Sequence, residues 1–326
     1  MGHRKALDVQ ASVLMLLLCM TWGVQQVVLK IAADAITPLM QIALRCGLSA
    51  LLVIPLIRLQ NKRDLIAKEY LFPGITLAFL FSAEFLLVAE ALRYTSAAHT
   101  VVLLYSAPIF VALGLHWKIP AEKLTIVQWV GIFLAFAGIV LAFMGRDQNS
   151  TGHAKALLGD FYALLAGVMW ALTTIALKLS KLSEAPATQT LFYQLVGGFI
   201  FLMPIAYFTG QTEIHWTAVA ISSLIFHVFI MSFMSLMLWF WLLRHYLANG
   251  LGVFSFLTPI LGVIFGVIFL DETIELNFIV GTALATRTSC PSLTLSLGCS
   301  WKGSRRSLSS PQSRKAPIRP TCSTVR

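Results

Sequence analysis

Charge is scarce in this 326-residue chain: only 12% of its residues are Asp, Glu, Lys or Arg, about half the share of an ordinary soluble domain. Long polar stretches are scarce too. Up to residue 285 every polar link is short, which leaves no room for a soluble sensor or catalytic domain. Cysteine numbers five. Cys19 and Cys46 fall in apolar runs, and Cys290, Cys299 and Cys322 lack paired metal-ligand spacing, so neither a disulfide framework nor a zinc site is implied. The motifs His-Glu-x-x-His and Gly-x-Ser-x-Gly and the phosphate-binding loop are all missing. These absences exclude the common soluble enzymes, and no metal or cofactor is expected.

What the chain has in abundance is apolar sequence, 58% of all residues, with a mean hydropathy of +0.81. Runs of eighteen or more mostly apolar residues are long enough to cross a hydrocarbon core of about 30 Å. They recur at approximately Ala11–Ile31, Pro38–Leu59, Gly74–Leu92, Ala97–Trp117, Leu124–Met144, Leu157–Leu177, Thr188–Thr209, Thr217–Leu243 and Gly250–Leu270. A tenth starts near Asn277. Arg4 and Lys5 give the first run the look of a signal peptide, but it is long and no small-x-small site follows it. It reads as an uncleaved helix.

The runs form two copies of one pattern. Leu92-Arg93 and Leu243-Arg244 stand 151 positions apart, as do Pro108-Ile109 and Pro259-Ile260, and Glu122 and Glu272 close the two stretches. Trp22 and Lys30 match Trp170 and Lys178 at 148, Pro55 matches Pro204 at 149, and Gly131 matches Gly281 at 150. Single matches between apolar helices mean little, but Trp-x7-Lys and Leu-Arg-x14-Pro recurring in order indicate a duplication. Five spans per copy is odd, so the second copy enters the membrane from the opposite side. The expected fold is all-α and integral to the membrane, ten transmembrane helices in two inverted five-helix repeats. Residues 11–144 form the first repeat, 145–156 the link, 157–285 the second repeat and 286–326 a tail. With the N-terminus inside, the inner segments before the tail hold eleven Lys or Arg, while the outer loops hold Arg93, Arg146 and Lys155, with Lys30 at an outer helix end. This satisfies the positive-inside rule.

The tail breaks the pattern. From Thr286 onward there are eight basic residues, ten Ser and no acid, so most of the +10 net charge resides there. Three readings stand: a basic segment that meets anionic lipid, a nucleic-acid arm, or a shift of reading frame near Ala285 that truncates the tenth helix. The last is preferred, and nucleic acid is not expected as a partner.

Charges inside the spans cost about 2.5–3.5 kcal/mol each at a helix centre. Glu84 lies near the middle of the third span and Arg45 near the middle of the second. Either they face a central cavity, with Glu84 as the proton-coupling group, or they form a structural ion pair. Glu90 is expected to pair with Arg93 one turn away. Lys30 and Lys178 either snorkel to the interface or meet a substrate carboxylate. Trp22 and Trp170 lie deeper than an interfacial belt and either pack or line the cavity. Gln25, Gln41, Gln194, His99 and His227 are neutral polar groups for a ligand or a neighbouring helix. The candidate cavity set is Trp22, Gln25, Arg45, Glu84, Tyr105, Trp170, Gln194 and His227, with Pro108 and Pro259 as helix breaks that free backbone carbonyls. Gly262-x-x-x-Gly266 permits a close helix crossing. Leu158-Gly159-Asp160 bears a trace of the Gly-Asp of intramembrane aspartyl proteases, but its acid is expected at the membrane edge without a partner.

Together, Trp-Gly-x6-Lys at Trp22–Lys30, LRYTSA at Leu92–Ala97, SAP at Ser106–Pro108 and FSFLTPILGVIFGVIFLDE at Phe254–Glu272 resemble the drug/metabolite transporter superfamily, in particular its ten-helix EamA-type exporters. The resemblance covers about Val13 to Ala285. It implies a carrier of the inner or plasma membrane with both termini inside, exporting amino acids or related metabolites. Its partners would be a small-molecule substrate, the lipid bilayer and, for coupling, protons. Lys118-Ile-Pro-Ala-Glu122 departs from the usual apolar-Gly-Glu ending, and the last helix lacks its continuation. An uncoupled facilitator, a non-transporting receptor or scaffold, and an intramembrane enzyme are the competing readings. The tail carries its own test. Translating the gene in the other two frames after codon 285 should give an apolar, Gly-containing continuation, and stop codons in both frames would end the frameshift reading.

Overall fold

The computed structural model of the chain describes residues 8–60, 68–118, 129–130, 137, 153–246, 257–272 and 280. Among these, secondary structure is helical apart from isolated bridge positions, with Ile36 paired antiparallel to Ile214 and a further bridge residue at Tyr246. In chain order the elements are α1 (Val9–Ile31), α2 (Pro38–Gln60), α3 (Lys68–Tyr94), α4 (Ala97–Leu104), α5 (Ala107–Lys118), α6 (His153–Leu179), a 3₁₀ turn (Lys181–Glu184), α7 (Ala187–Phe208), α8 (Ala218–Ile225), a π-helical stretch (Phe226–Met234), α9 (Ser235–His245) and α10 (Leu257–Leu270). Five segments are long and apolar enough to cross a membrane: Val9–Ile31, Pro38–Arg58, Glu69–Tyr94, Ala154–Leu179 and Thr188–Phe208. Shorter apolar helices lie at Ala97–Val111, Ala218–Met234 and Leu257–Leu270. The expected fifth and tenth spans, Glu122 and the tail fall outside the described residues, apart from 129, 130, 137 and 280.

Three expectations about spans are corrected. The fourth is two helices rather than one. Pro108 has no N–H to offer the Leu104 carbonyl, and the backbone tightens just before it: Ser106 N–H donates to Leu103 O at 3.2 Å and Ile109 N–H to Ser106 O at 2.9 Å. The eighth span is continuous but wound as a π-helix for nine residues, Phe226–Met234. The sixth starts earlier than Leu157, because the last four residues of the proposed 145–156 link already belong to α6.

Side chains from distant parts of the chain sort the helix ends onto two faces. At one face Lys30 Nζ donates to the carbonyls of Leu92 and Thr95, the latter at 2.8 Å. There too Thr37 Oγ1 donates to Gln211 O at 2.8 Å, and His215 N–H to Ala35 O at 2.8 Å beside the Ile36–Ile214 bridge. Glu272 belongs to this face: its carboxylate accepts from the first backbone N–H groups of α4, Ala97 at 2.6 Å and Ala98 at 3.0 Å. These are orphan donors at a helix N-terminus, where an anion is favoured. Ser96 caps the same turn from His99 N–H at 3.1 Å. At the opposite face Tyr246 Oη donates to Asp8 Oδ2 at 3.0 Å, while Asp8 Oδ1 caps α1 from Ala11 N–H at 2.8 Å. Lys181 reaches Glu69 there at 3.7 Å.

Directions follow from these contacts. α1 runs toward the Glu272 face. α6 starts beside Thr95 on that face and runs away from it, so the two Trp-x7-Lys copies point in opposite senses. α4 and α5 likewise leave the Glu272 face while α10 approaches it, which sets Pro108 and Pro259 on oppositely directed helices. Packing crosses between the halves throughout. α3 lies along α6, α2 along α7, and α1 along α10.

The largest cluster of buried apolar residues is shared between α1, α2, α3 and α7, with Leu29, Leu39, Ile42, Val53, Val88, Leu92, Leu195 and Leu202 among its members. The α10 glycines allow a close approach to α1 and α4. A β-carbon on Gly262 would stand 2.6 Å from Val101, and one on Gly23 would stand 3.0 Å from the Gly262 nitrogen. The Gly262→Leu variant should therefore destabilise the protein by about 1–3 kcal/mol through overpacking, read as a lower thermal unfolding midpoint in detergent. An unchanged midpoint would show that α10 does not sit this close to α4.

Candidate functional site

The deepest polar residues of α2 form one stripe. Gln41, Arg45 and Ser49 recur every four residues and are at most 3% exposed, which puts them on a single helix face about one turn apart. Each has a buried atom without a hydrogen-bond partner among the described residues: Gln41 Oε1, Arg45 Nε and Ser49 Oγ. Gln26 Oε1 on α1 and His227 Nε2 on the π stretch are in the same condition. Burying such groups unsatisfied costs about 1–3 kcal/mol each. Several in one place mark a site built for something else to occupy.

Arg45 is held by stacking, not by a carboxylate. Its guanidinium carbon lies 4.5 Å from the centre of the Phe85 ring. Glu84, buried at 6% exposure, is near enough to act on it electrostatically. Yet no ion pair within 4.0 Å joins the two among the described residues. The structural ion-pair reading of Arg45 and Glu84 is therefore not what the molecule does. Both charges are buried, side by side and unbridged.

His227 fixes the end of the stripe. Its Nδ1 is 2.8 Å from the Ser223 carbonyl and 3.1 Å from the Gln41 amide nitrogen, and the same nitrogen contacts Ser223 Oγ. A carbonyl only accepts, so Nδ1 carries the proton and cannot also accept from Gln41. Gln41 Nε2 donates instead to Ser223 Oγ, whose own proton is directed at the Val28 carbonyl at 3.4 Å, and Gln41 Oε1 is the atom left over. Gln25, 4% exposed, lies beside His227 on α1.

A second group of predicted residues meets at the helix break. Tyr105 sits between α4 and α5 and stacks edge-on against Trp170 at 5.1 Å. It also faces Thr258 of α10, with Cys19 and Glu84 in electrostatic range. Trp22 stands apart. Its Nε1 donates to Ser235 Oγ at 3.3 Å and its ring packs against Trp239 at 5.5 Å, which makes it part of the α1–α9 contact. Gln194 on α7 is half-buried and is the repeat counterpart of Arg45, 149 positions on. Pro259 lies in the first turn of α10 and is buried; residues 251–256 before it fall outside the described set.

Two expectations are overturned at the Glu272 face. Asp160 is fully buried and well partnered: Thr95 Oγ1 donates to Oδ1 at 2.5 Å, and His99 Nδ1 lies 3.2 Å from Oδ2. Its partners come from the other half of the chain, which spacing along the sequence could not reveal. Lys30 is not left for a substrate carboxylate, because the Leu92 and Thr95 carbonyls at the end of α3 hold its ammonium. Glu90 and Arg93 pair as expected at 2.8 Å, and Gln211 Nε2 donates to the same carboxylate at 2.9 Å.

Sequence reading missed Gln26, Ser49, Ser223 and Thr258. The four-residue spacing of Gln41, Arg45 and Ser49 was the available signal for one of them. Among the described residues no group of three or more His, Cys, Asp or Glu could hold a metal ion.

A bundle of membrane-crossing helices with a buried, partly unsatisfied polar centre is the architecture of a multi-pass membrane transporter. The chain belongs to the EamA-like transporter family, whose model matches residues 10–144 and again 157–287. It is 25% identical over 264 residues to the uncharacterized transporter YoaV of Bacillus subtilis, covering 81% of this chain and 89% of that one. It is 26% identical over 268 residues to a probable amino-acid metabolite efflux pump of Escherichia coli, covering 80% and 87%. It is 25% identical over 279 residues to a protein of the same description from Salmonella typhimurium, covering 83% and 90%. One crystal structure of a protein superposes with a TM-score of 0.62 at 14% identity, over 90% of this chain and 99% of the other, a likeness of fold.

The Asp160 contacts join the two halves and are open to test. Asp160→Ala removes a buried hydrogen-bond acceptor that Thr95 and His99 share, which should lower the unfolding free energy in detergent by about 1–3 kcal/mol. A loss within experimental error would mean the three groups are not hydrogen-bonded in the folded protein.

Proposed function

We propose that this protein is a secondary transporter of the inner or plasma membrane, with a cytoplasmic N-terminus, that exports small metabolites of the amino-acid kind by alternating access. In this reading it has ten membrane helices in two inverted repeats, residues 11–144 and 157–285, joined by a link at 145–156. The opposed senses of α1 and α6, and of the two proline-bearing helices, support the inversion. Amino-acid metabolite efflux is what the names of two bacterial relatives say of those relatives, and it comes to this chain as a proposal.

The observation that carries the reading is the polar centre to which both halves contribute: Gln26, Gln41, Arg45, Ser49 and Glu84 from the first, His227 and Thr258 from the second. A purely structural bundle gains nothing by burying a guanidinium and a carboxylate without bridging them. A carrier gains a place where solute is held in exchange for water. Trp170 and Tyr105 form an aromatic wall beside it, whereas Trp22 serves the packing of α1. Rocking of one half against the other would open this centre to each face in turn.

Glu84 is the proposed coupling group. It is the buried acid nearest Arg45, and no hydrogen bond to another described residue fixes it in one protonation state. In proteoliposomes containing the full chain, screened first for exported metabolites, Glu84→Gln should lose transport driven by a pH gradient and keep solute counterflow. Transport that still follows the pH gradient in the variant would remove Glu84 from coupling and favour a facilitator.

A further inference from the structure

We infer that the α2 stripe is the anion end of the solute site, and that the solute carries a carboxylate which binds Arg45. The inference rests on the transport reading above and adds the charge of what is carried.

Arg45 is 3% exposed, its Nε–H has no partner among the described residues, and one face of its guanidinium is closed by Phe85 at 4.5 Å. The stacked ring leaves the guanidinium edge open, and that edge is the part matched to a carboxylate's two oxygens. One turn toward the Glu272 face stands Gln41. Its Nε2 donates to Ser223 Oγ and lies 3.1 Å from His227 Nδ1, so the amide nitrogen is taken up by that pair and Oε1 is the atom without a partner among the described residues. One turn the other way stands Ser49, 0% exposed, its hydroxyl also unpartnered. Arg45 Nε and Ser49 Oγ, two donors on successive turns of α2 and one of them on a full positive charge, have no acceptor among the described residues, and the guanidinium's other contact is the Cys46 sulfur.

Glu84 lies in electrostatic range but does not bridge to Arg45 within 4.0 Å. Cys46, the next residue along, is a weak acceptor. A neutral solute would leave the guanidinium edge with no better acceptor than the Cys46 sulfur, and a cationic one would meet like charge there. A carboxylate supplies the acceptor and satisfies a flanking donor as well. Nothing comparable exists at the matching place in the second repeat, where Gln194 is uncharged, so the anion binds on α2 alone.

The test uses purified full chain in proteoliposomes and three solute mixtures: the twenty proteinogenic L-amino acids, their 2-hydroxy-acid counterparts, and their C-terminal amides. Efflux is followed by mass spectrometry against protein-free vesicles. One or both carboxylate mixtures should yield exported solutes and the amide mixture none. The hydroxy acids report whether an amino group is also required. Arg45→Gln should slow export of the carboxylates about ten- to hundredfold, the loss of a charged hydrogen bond. Arg45→Lys should recover part of it, keeping charge without the fork. Amides leaving wild-type vesicles as fast as the acids would overturn the inference without any variant. So would a monodisperse Arg45→Gln protein that exports acids at the wild-type rate. Absence of protein-dependent efflux from all three mixtures would instead remove the transport reading, and this inference with it.

Discussion

Lipid offers no hydrogen bonds, and this constraint organises the molecule. Each polar group carried into the apolar interior must find a partner on another helix. In this chain most of them do: Lys30 on the carbonyls of α3, Glu272 on the first amides of α4, Asp160 on Thr95 and His99, Asp8 on Tyr246. All but the first of these join one half of the chain to the other. The helix ends are thus held by polar bonds across the duplication, and the apolar cluster fills the space between them. Against that background the described groups that lack partners stand out, and the α2 stripe of Gln41, Arg45 and Ser49 supplies three of them.

The break at Tyr105 and the π stretch at Phe226–Met234 belong to the same account. Both are departures from α geometry in apolar surroundings, where the ordinary i to i+4 ladder is the cheapest arrangement of the backbone. Pro108 forces the first. It leaves Tyr105 at the junction, against Trp170 and near Thr258. The second carries His227 at the head of the π-helix, where its ring proton meets the Ser223 carbonyl. Irregular backbone at these two places coincides with the polar centre.

Much of this was legible beforehand, for identifiable reasons. Spans follow from hydropathy, since a run either is or is not long enough to cross. The duplication follows from rare residues, Trp and Lys eight apart and Leu-Arg before a mid-helix Pro, which survive where Leu and Ala carry no signal. Arg45 and Glu84 stood out because charge in a span is expensive. What stayed hidden depends on partners far away in the chain. Asp160 looked unpaired because Thr95 and His99 lie across the other half, and Lys30 looked idle because its acceptors are backbone carbonyls, which every residue has. Ser49 passed unnoticed because serine is unremarkable in a membrane helix unless the stripe it completes is seen. No residue type announces a π-helix, so the winding at Phe226–Met234 had no signature to read.

The pairing of Arg45 with Gln194 across the repeat has a consequence for evolution as well as chemistry. A gene doubled in this way begins with two equivalent copies of each position, and a homodimer of the ancestral unit would have placed the same side chain at both. Once fused, the copies are free to diverge, and here one became a strong cation while the other is a neutral amide. With the proposed carboxylate site on Arg45, a single cation in a nearly two-fold scaffold would present its solute one way round. Such polarity is open to a fused chain and closed to a symmetric dimer.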